Sequence, residues 1–171
     1  MTRIAFIGLG NMGGGMAANQ AKAGHDVAAF DLSPAALERA AEAGCRTVAS
    51  VAEAVKDAEI VITMLPAGPH VLSVYSDQII GAAPSSALLL DCSTIDVETA
   101  RKVAGLAKEA GYAFADAPVS GGTAAADAGT LAFMVGCDEA DFARVEPALD
   151  PMSRITTVSY THLTLPTILL V

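Results

Sequence analysis

Arg3-Ile-Ala-Phe-Ile-Gly-Leu-Gly-Asn-Met-Gly13 begins two residues into the chain. An apolar run, Ile4 to Leu9, leads straight into Gly8-x-Gly10-x-x-Gly13, and a helix-forming stretch follows. Asp31, eighteen residues past Gly13, closes a second short apolar run, Val27 to Phe30. Three spaced glycines alone are weak evidence, because turns collect glycine for many reasons. Strand, glycine turn, helix, strand and acid in that order form the fingerprint of a dinucleotide-binding unit. Gly8 permits the tight turn, Gly10 lets a pyrophosphate approach the backbone, and Gly13 lets the helix lie close to the strand. The helix N-terminus then offers free N–H groups and partial positive charge to phosphates. The whole turn, Gly8, Leu9, Gly10, Asn11, Met12 and Gly13, is therefore a candidate cofactor contact. Asp31 would accept hydrogen bonds from ribose hydroxyls and repel a 2′-phosphate, which favours NAD over NADP. Asp31 also suits a turn ahead of Ser33-Pro34.

Outward from this unit, strand and helix patterns alternate along the chain. The expected fold is α/β, a Rossmann-type doubly wound and mostly parallel sheet. The first helix is expected from about Met12 to Ala23. The second starts after Ser33-Pro34, an N-cap and N1 pair, and ends at Gly44. Ser50-Val-Ala-Glu53 is a capping box opening a third helix. Ile60–Met64 and Leu88–Asp91 are continuous apolar runs, as buried parallel strands require. A helix follows from about Val97 to Ala110, with Val97, Ala100, Val103, Ala104 and Ala107 on one stripe. Ala113–Ala117 and Leu131–Val135 read as strands, Phe142, Val145 and Leu149 mark a last helix, and Arg154–Thr157 a last short strand. Four loops, Gly8–Gly13, Leu65–Pro69, Cys92–Ile95 and Pro118–Gly122, fall at the carboxyl ends of strands, where open α/β sheets bind ligands.

A chain of 171 residues, 53% hydrophobic, suffices for one domain with a sizeable core. Its net charge of −9 argues against nucleic acid or an anionic membrane surface as partner. Cys45, Cys92 and Cys137 are widely spaced and odd in number, which reads as reduced thiols of a cytoplasmic protein. With His25, His70 and His162 they form no pattern of metal ligands, so no metal is expected. The first strand lies where a signal peptide would, and no run reaches the roughly 18 apolar residues of a membrane span.

Four stretches carry a family resemblance: Phe6-Ile-Gly-Leu-Gly-Asn-Met-Gly13; Met64-Leu-Pro-Ala-Gly-Pro-His70; Asp91-Cys-Ser-Thr-Ile95; and Asp116-Ala-Pro-Val-Ser-Gly-Gly122, continued by Gly129-Thr-Leu-Ala-Phe-Met-Val-Gly136. In order and spacing they resemble the β-hydroxyacid dehydrogenases, in particular the 3-hydroxyisobutyrate dehydrogenases of valine catabolism. The resemblance implies that Leu65 and Pro66 border the adenosine side of bound NAD, and that Ser93 and Thr94 lie near the nicotinamide and its ribose. It implies that Ser120, Gly121 and Gly122 hold the carboxylate of a small 3-hydroxy acid; Ser120 also suits a plain turn before two glycines. Tartronate semialdehyde, succinic semialdehyde or glyoxylate reduction are the alternatives within the family, and a non-catalytic nucleotide-binding fragment is the alternative outside enzymes. Gly15 stands where relatives often have proline, an expected change in helix stiffness, and Cys137 replaces a frequent glycine.

The largest departure begins after Thr157. Relatives continue into a long helix whose lysine transfers the substrate proton, and a helical domain that also serves homo-oligomerisation. Here residues 158–171 carry no Lys, Arg, Asp or Glu, and no lysine follows Lys108. The tail resembles translated adaptor sequence. Residues 1–157 are therefore expected to form the NAD-binding domain, and 158–171 a non-family, non-native tail in place of the helical domain. Without the general-base lysine, these residues alone are expected to be inactive.

Overall fold

The computed structural model describes residues 1–159. The strands are β1 (Arg3–Ile7), β2 (Asp26–Phe30), β3 (Arg46–Thr47), β4 (Ile60–Thr63), β5 (Leu88–Asp91), β6 (Ala113–Asp116), β7 (Val119–Ser120), β8 (Leu131–Cys137) and β9 (Ser153–Ser159). The helices are α1 (Gly13–Lys22), α2 (Pro34–Glu42), α3 (Val51–Val55), α4 (Gly68–Val74), α5 (Val97–Glu109), α6 (Gly122–Ala128) and α7 (Glu139–Leu149). A π-helical turn, Tyr75–Ile79, continues α4, and a 3-10 turn, Asp150–Met152, continues α7.

Strands β3-β2-β1-β4-β5-β6 lie side by side in that order, all parallel. The order runs outward from β1 in both directions, so the crossover helices fall on opposite faces and a crevice opens between the carboxyl ends of β1 and β4. Beyond β6 the sheet becomes mixed. β6 and β7 pair with antiparallel β8 in one continuous register, Asp116↔Gly136 and Val119↔Phe133. They are one strand interrupted at Ala117-Pro118, where proline lacks the N–H that a ladder uses. The Met134 N–H still donates to the Pro118 carbonyl at 3.0 Å. β9 lies parallel along the other side of β8.

Alternate strand residues divide between the two faces. Ile4 and Phe6 face one apolar layer with Met16 and Ala17 of α1 and Val145 and Leu149 of α7. Ala5 and Ile7 face the other, with Val51 and Val55 of α3, Val71 of α4, and Val103 and Ala107 of α5. Buried strands with apolar residues on both faces are what the continuous runs at Ile60 and Leu88 require. The forward half of the box at Ser50 forms, the Glu53 N–H donating to Ser50 Oγ at 3.1 Å, while the return bond falls one residue earlier, Glu53 Oε2 accepting the Ala49 N–H at 3.0 Å.

Several elements differ from the reading of the sequence. The loop expected at Leu65–Pro69 ends early, because α4 starts at Gly68 with Pro69 in its first turn, a position that suits proline. The stretch Pro118–Gly122 contains β7 and the start of α6, an alanine-rich helix that the glycines on either side concealed. β3 has only two residues, too few to leave a pattern. β9 continues to Ser159, two residues past the boundary expected at Thr157, and the rest of the expected tail, 160–171, lies outside the described residues. Gly15 is a packing position rather than a matter of helix stiffness: a Cβ there would run into Asp127 Oδ1 and lie 2.9 Å from the Ala126 carbonyl carbon, where α1 crosses α6.

Candidate cofactor site

The three glycines of the first turn are required for different reasons. Gly8 has φ +94°, and a Cβ on it would collide with the Met64 carbonyl oxygen of the neighbouring loop. A Cβ on Gly13 would collide with the Gly8 carbonyl, so the first turn of α1 sits directly on the β1 turn. A Cβ on Gly10 would meet nothing within 4 Å. Protein atoms fill the space beside the first and third glycines, while the space beside the second is left open, as backbone approach by a phosphate requires.

That space belongs to a cavity of about 530 Å³ at the carboxyl ends of β1, β2 and β4, the size of a cofactor pocket. It brings together eight of the expected residues: Gly8, Gly10, Asn11, Met12, Gly13, Asp31, Leu65 and Pro66. Leu9 contributes differently. Its side chain is buried, and its N–H donates to Asp31 Oδ2 at 2.7 Å. Asp31 Oδ1 accepts the Ser33 N–H at 2.7 Å. Asp31 thus builds the turn ahead of α2 and also lines the cavity. An ionised carboxylate has about four acceptor sites, so two backbone donors leave capacity for a ligand. The lining also includes residues that sequence reasoning missed: Leu32, Val51 of α3, His70 and Val74 of α4, and Gln78 of the π-helical turn. The signal for the last three was the Gly68-Pro69 helix start.

Ser93, Thr94, Ser120, Gly121 and Gly122 stand on the same edge of the sheet, after β5 and β7, but outside this cavity. Ser93 is only 3% exposed and its hydroxyl points into the protein, donating to Asp91 Oδ1 at 2.6 Å. Thr94 is exposed. Ser120 is exposed at the end of β7, opposite Ala132. Gly121 (φ +138°) caps α6, and a side chain there would press to 2.7 Å from the Ala125 Cβ. Cys45, Cys92 and Cys137 are buried and unpaired, and burial pushes the thiols of Cys45 and Cys137 up to about 11. Among the described residues no three His, Cys, Asp or Glu side chains are grouped to hold a metal, and no helix is long and apolar enough to cross a membrane.

Residues 3–162 match the family described as the NAD binding domain of 6-phosphogluconate dehydrogenase. The chain belongs to this family. The domain is 52% identical over 156 residues to a 3-hydroxyisobutyrate dehydrogenase of Pseudomonas aeruginosa, a match covering 90% of this chain and 52% of that protein. It is 46% identical over 156 residues to an NAD-dependent L-serine dehydrogenase of the same organism, with the same coverage. Among solved structures, a Mycobacterium tuberculosis 3-hydroxyisobutyrate dehydrogenase with L-serine superposes with a TM-score of 0.90 at 49% identity, over 92% of this chain and 54% of that one. The chain thus spans about half the length of the curated relatives it matches.

Proposed function

We propose that this domain is the cofactor-binding part of an NAD-dependent dehydrogenase that oxidises 3-hydroxyisobutyrate to methylmalonate semialdehyde. The observation that carries the reading is the 52% identity across 90% of the chain, with the cofactor cavity complete in its glycine turn and its acid. Gly8 to Gly13 would hold the pyrophosphate on backbone N–H groups at the start of α1. Asp31 would take the adenosine ribose, while Leu65, Val51 and Val74 offer the apolar wall that suits an adenine ring. Asp31 and His70 are the only ionisable side chains among the described lining residues, so no fixed cation awaits a 2′-phosphate. Bound NAD supplies the hydride acceptor. Ser120 and the N–H groups of Gly121 and Gly122 would hold the substrate carboxylate, backbone donors being fixed before the ligand arrives. The proton acceptor belongs, by the family resemblance, to a lysine outside the matched half. The three buried, unpaired thiols suit a reducing cytosol.

A second reading, oxidation of L-serine, is favoured by the relative named an L-serine dehydrogenase and by the L-serine in the superposed structure. Both acids carry a carboxylate and a β-hydroxyl, so the site on Ser120 would serve either. The test is kcat/KM of the whole protein with NAD on 3-hydroxyisobutyrate, L-serine and the three family aldehydes. A tenfold or greater advantage for 3-hydroxyisobutyrate supports the first reading. An advantage for L-serine or an aldehyde replaces it.

A further inference from the structure

Behind the cofactor cavity lies a buried hydroxyl–carboxylate network that ties Asp91 and Ser93 of the Asp91–Ile95 stretch to Thr63 and Tyr75. Its centre is Asp91, the last residue of β5, only 2% exposed. Asp91 Oδ1 accepts from Thr63 Oγ at 2.7 Å, from Ser93 Oγ at 2.6 Å and from the Ser93 N–H at 3.2 Å. Thr63 Oγ also lies 3.1 Å from the Tyr75 hydroxyl, and Ser93 Oγ lies 2.9 Å from the Leu65 N–H.

With Asp91 ionised, proton counting fixes the direction of every bond. Each hydroxyl has one proton to give. Thr63 and Ser93 spend theirs on the carboxylate, so Tyr75 must donate to Thr63, and Ser93 Oγ is left as the acceptor for Leu65. The two chains, Tyr75 to Thr63 to Asp91 and Leu65 to Ser93 to Asp91, converge on one oxygen. Their outer ends adjoin the walls of the cavity. Leu65 lines the cavity, and Tyr75 opens the π-helical turn that carries Gln78 into its wall. Tyr75 is further pinned edge-on to Phe114, with ring centroids 5.8 Å apart.

We infer that Asp91, Thr63 and Ser93 are positioning residues of the NAD site: through Ser93 they clasp the backbone of the Leu65-Pro66 loop, and through Tyr75 they seat the α4–π segment, so that both walls of the cavity are set before the cofactor arrives. This rests on the cavity being the NAD site. It assigns Ser93 a role different from direct contact with the nicotinamide ribose, because its proton and an acceptor site are already committed inside the protein. Thr63 is wholly buried and absent from the cavity lining, so it cannot act on NAD by direct contact.

The experiment uses the full 171-residue chain and NAD titration by calorimetry, with thermal unfolding of each variant in parallel. Thr63→Val removes the hydroxyl and keeps the shape; Thr63→Ser keeps the hydroxyl. The valine variant, at a temperature where it is folded, should bind NAD about tenfold more weakly, the scale of one lost buried hydrogen bond, and the serine variant should stay within about twofold of the wild type. A second measurement needs no cofactor: exchange of the Leu65 amide should quicken about tenfold in Ser93→Ala and in Thr63→Val. Wild-type affinity in folded Thr63→Val, or a Leu65 amide that exchanges equally slowly in Ser93→Ala, overturns the positioning role while leaving the NAD site intact. A wild-type chain that does not bind NAD overturns the reading of the cavity itself.

Discussion

At the scale of single residues, the three glycines of the first turn make separable predictions. Gly10→Ala places a methyl group in open space, so its unfolding free energy should stay within about 1 kcal/mol of the wild type, the ordinary cost of a surface substitution. The same methyl group occupies the approach of the pyrophosphate, and calorimetry should find NAD affinity lowered at least tenfold. Gly13→Ala drives its methyl group into the Gly8 carbonyl. Overpacking of this kind costs about 1–3 kcal/mol or more, so this variant should lose stability as well as affinity. If Gly10→Ala unfolds early and Gly13→Ala does not, the assignment of space around the turn is wrong. Asp31→Ala should weaken NAD binding, by about 1.5–3 kcal/mol for a charge-assisted bond, and narrow the gap between NAD and NADP. Because Asp31 also holds the N–H groups of Leu9 and Ser33, its removal should cost fold stability too. Equal affinities for the two cofactors in the wild type would refute the discriminating role of Asp31.

At the scale of elements, the end of β5 sets a pH dependence. Burial, only partly offset by bonds from Ser93 and Thr63, raises the Asp91 carboxyl from the usual 3.8 to about 6, with the neighbouring Asp116 carboxylate adding to the rise. A carboxyl that ionises later in the folded than in the unfolded state stabilises the fold at low pH. Its contribution is fully present below about pH 4 and is lost as pH rises through about 6, on the order of 2–3 kcal/mol in all. Denaturant unfolding between pH 4 and 8, compared with Asp91→Asn, isolates this one group. The asparagine carbonyl can still accept from Thr63 and Ser93 but cannot ionise, so the variant should gain on the wild type as pH rises. Parallel pH curves for the two proteins would mean that Asp91 titrates normally. The π-helical turn belongs to the same scale. Gln78 of that turn lines the cavity, and π turns recur at functional sites.

At the scale of the whole molecule, the sheet order puts every candidate loop on one edge but in two groups. The turn after β1, the acid after β2 and the loop after β4 share the cavity. The loops after β5 and β7 stand on the same edge but outside it. This division predicts that a polypeptide of these 171 residues binds NAD but turns over 3-hydroxyisobutyrate, at most, far below the 1–10³ s⁻¹ usual for enzymes. On the proposed reading these residues would supply the cofactor contacts and Ser120 for the carboxylate, and they include no lysine after Lys108. Single-turnover spectroscopy at the NADH absorption band measures this directly, and ordinary turnover by these residues alone would show that they contain their own base.

Much of the architecture was written locally. The β1 turn, the acid after β2, the box at Ser50 and the apolar runs of β4 and β5 each follow from short-range chemistry: a glycine a turn needs, a side chain that satisfies a free N–H, a strand buried on both faces. These residues determined the α/β fold and the cofactor loop without reference to anything distant in the chain. Other features depend on which distant residues meet. Thr63 and Tyr75 are unremarkable in sequence, Asp91 and Ser93 stand out only as parts of a family stretch, and the parallel register Thr63↔Asp91 makes a network of them. The same holds for Gly15, whose need for a missing Cβ is imposed by α6 more than a hundred residues later. Ser93 shows the boundary most clearly. Its place after β5 was legible, but whether its one proton faces a ligand or a buried carboxylate is decided by tertiary contact, because a hydroxyl can be spent only once.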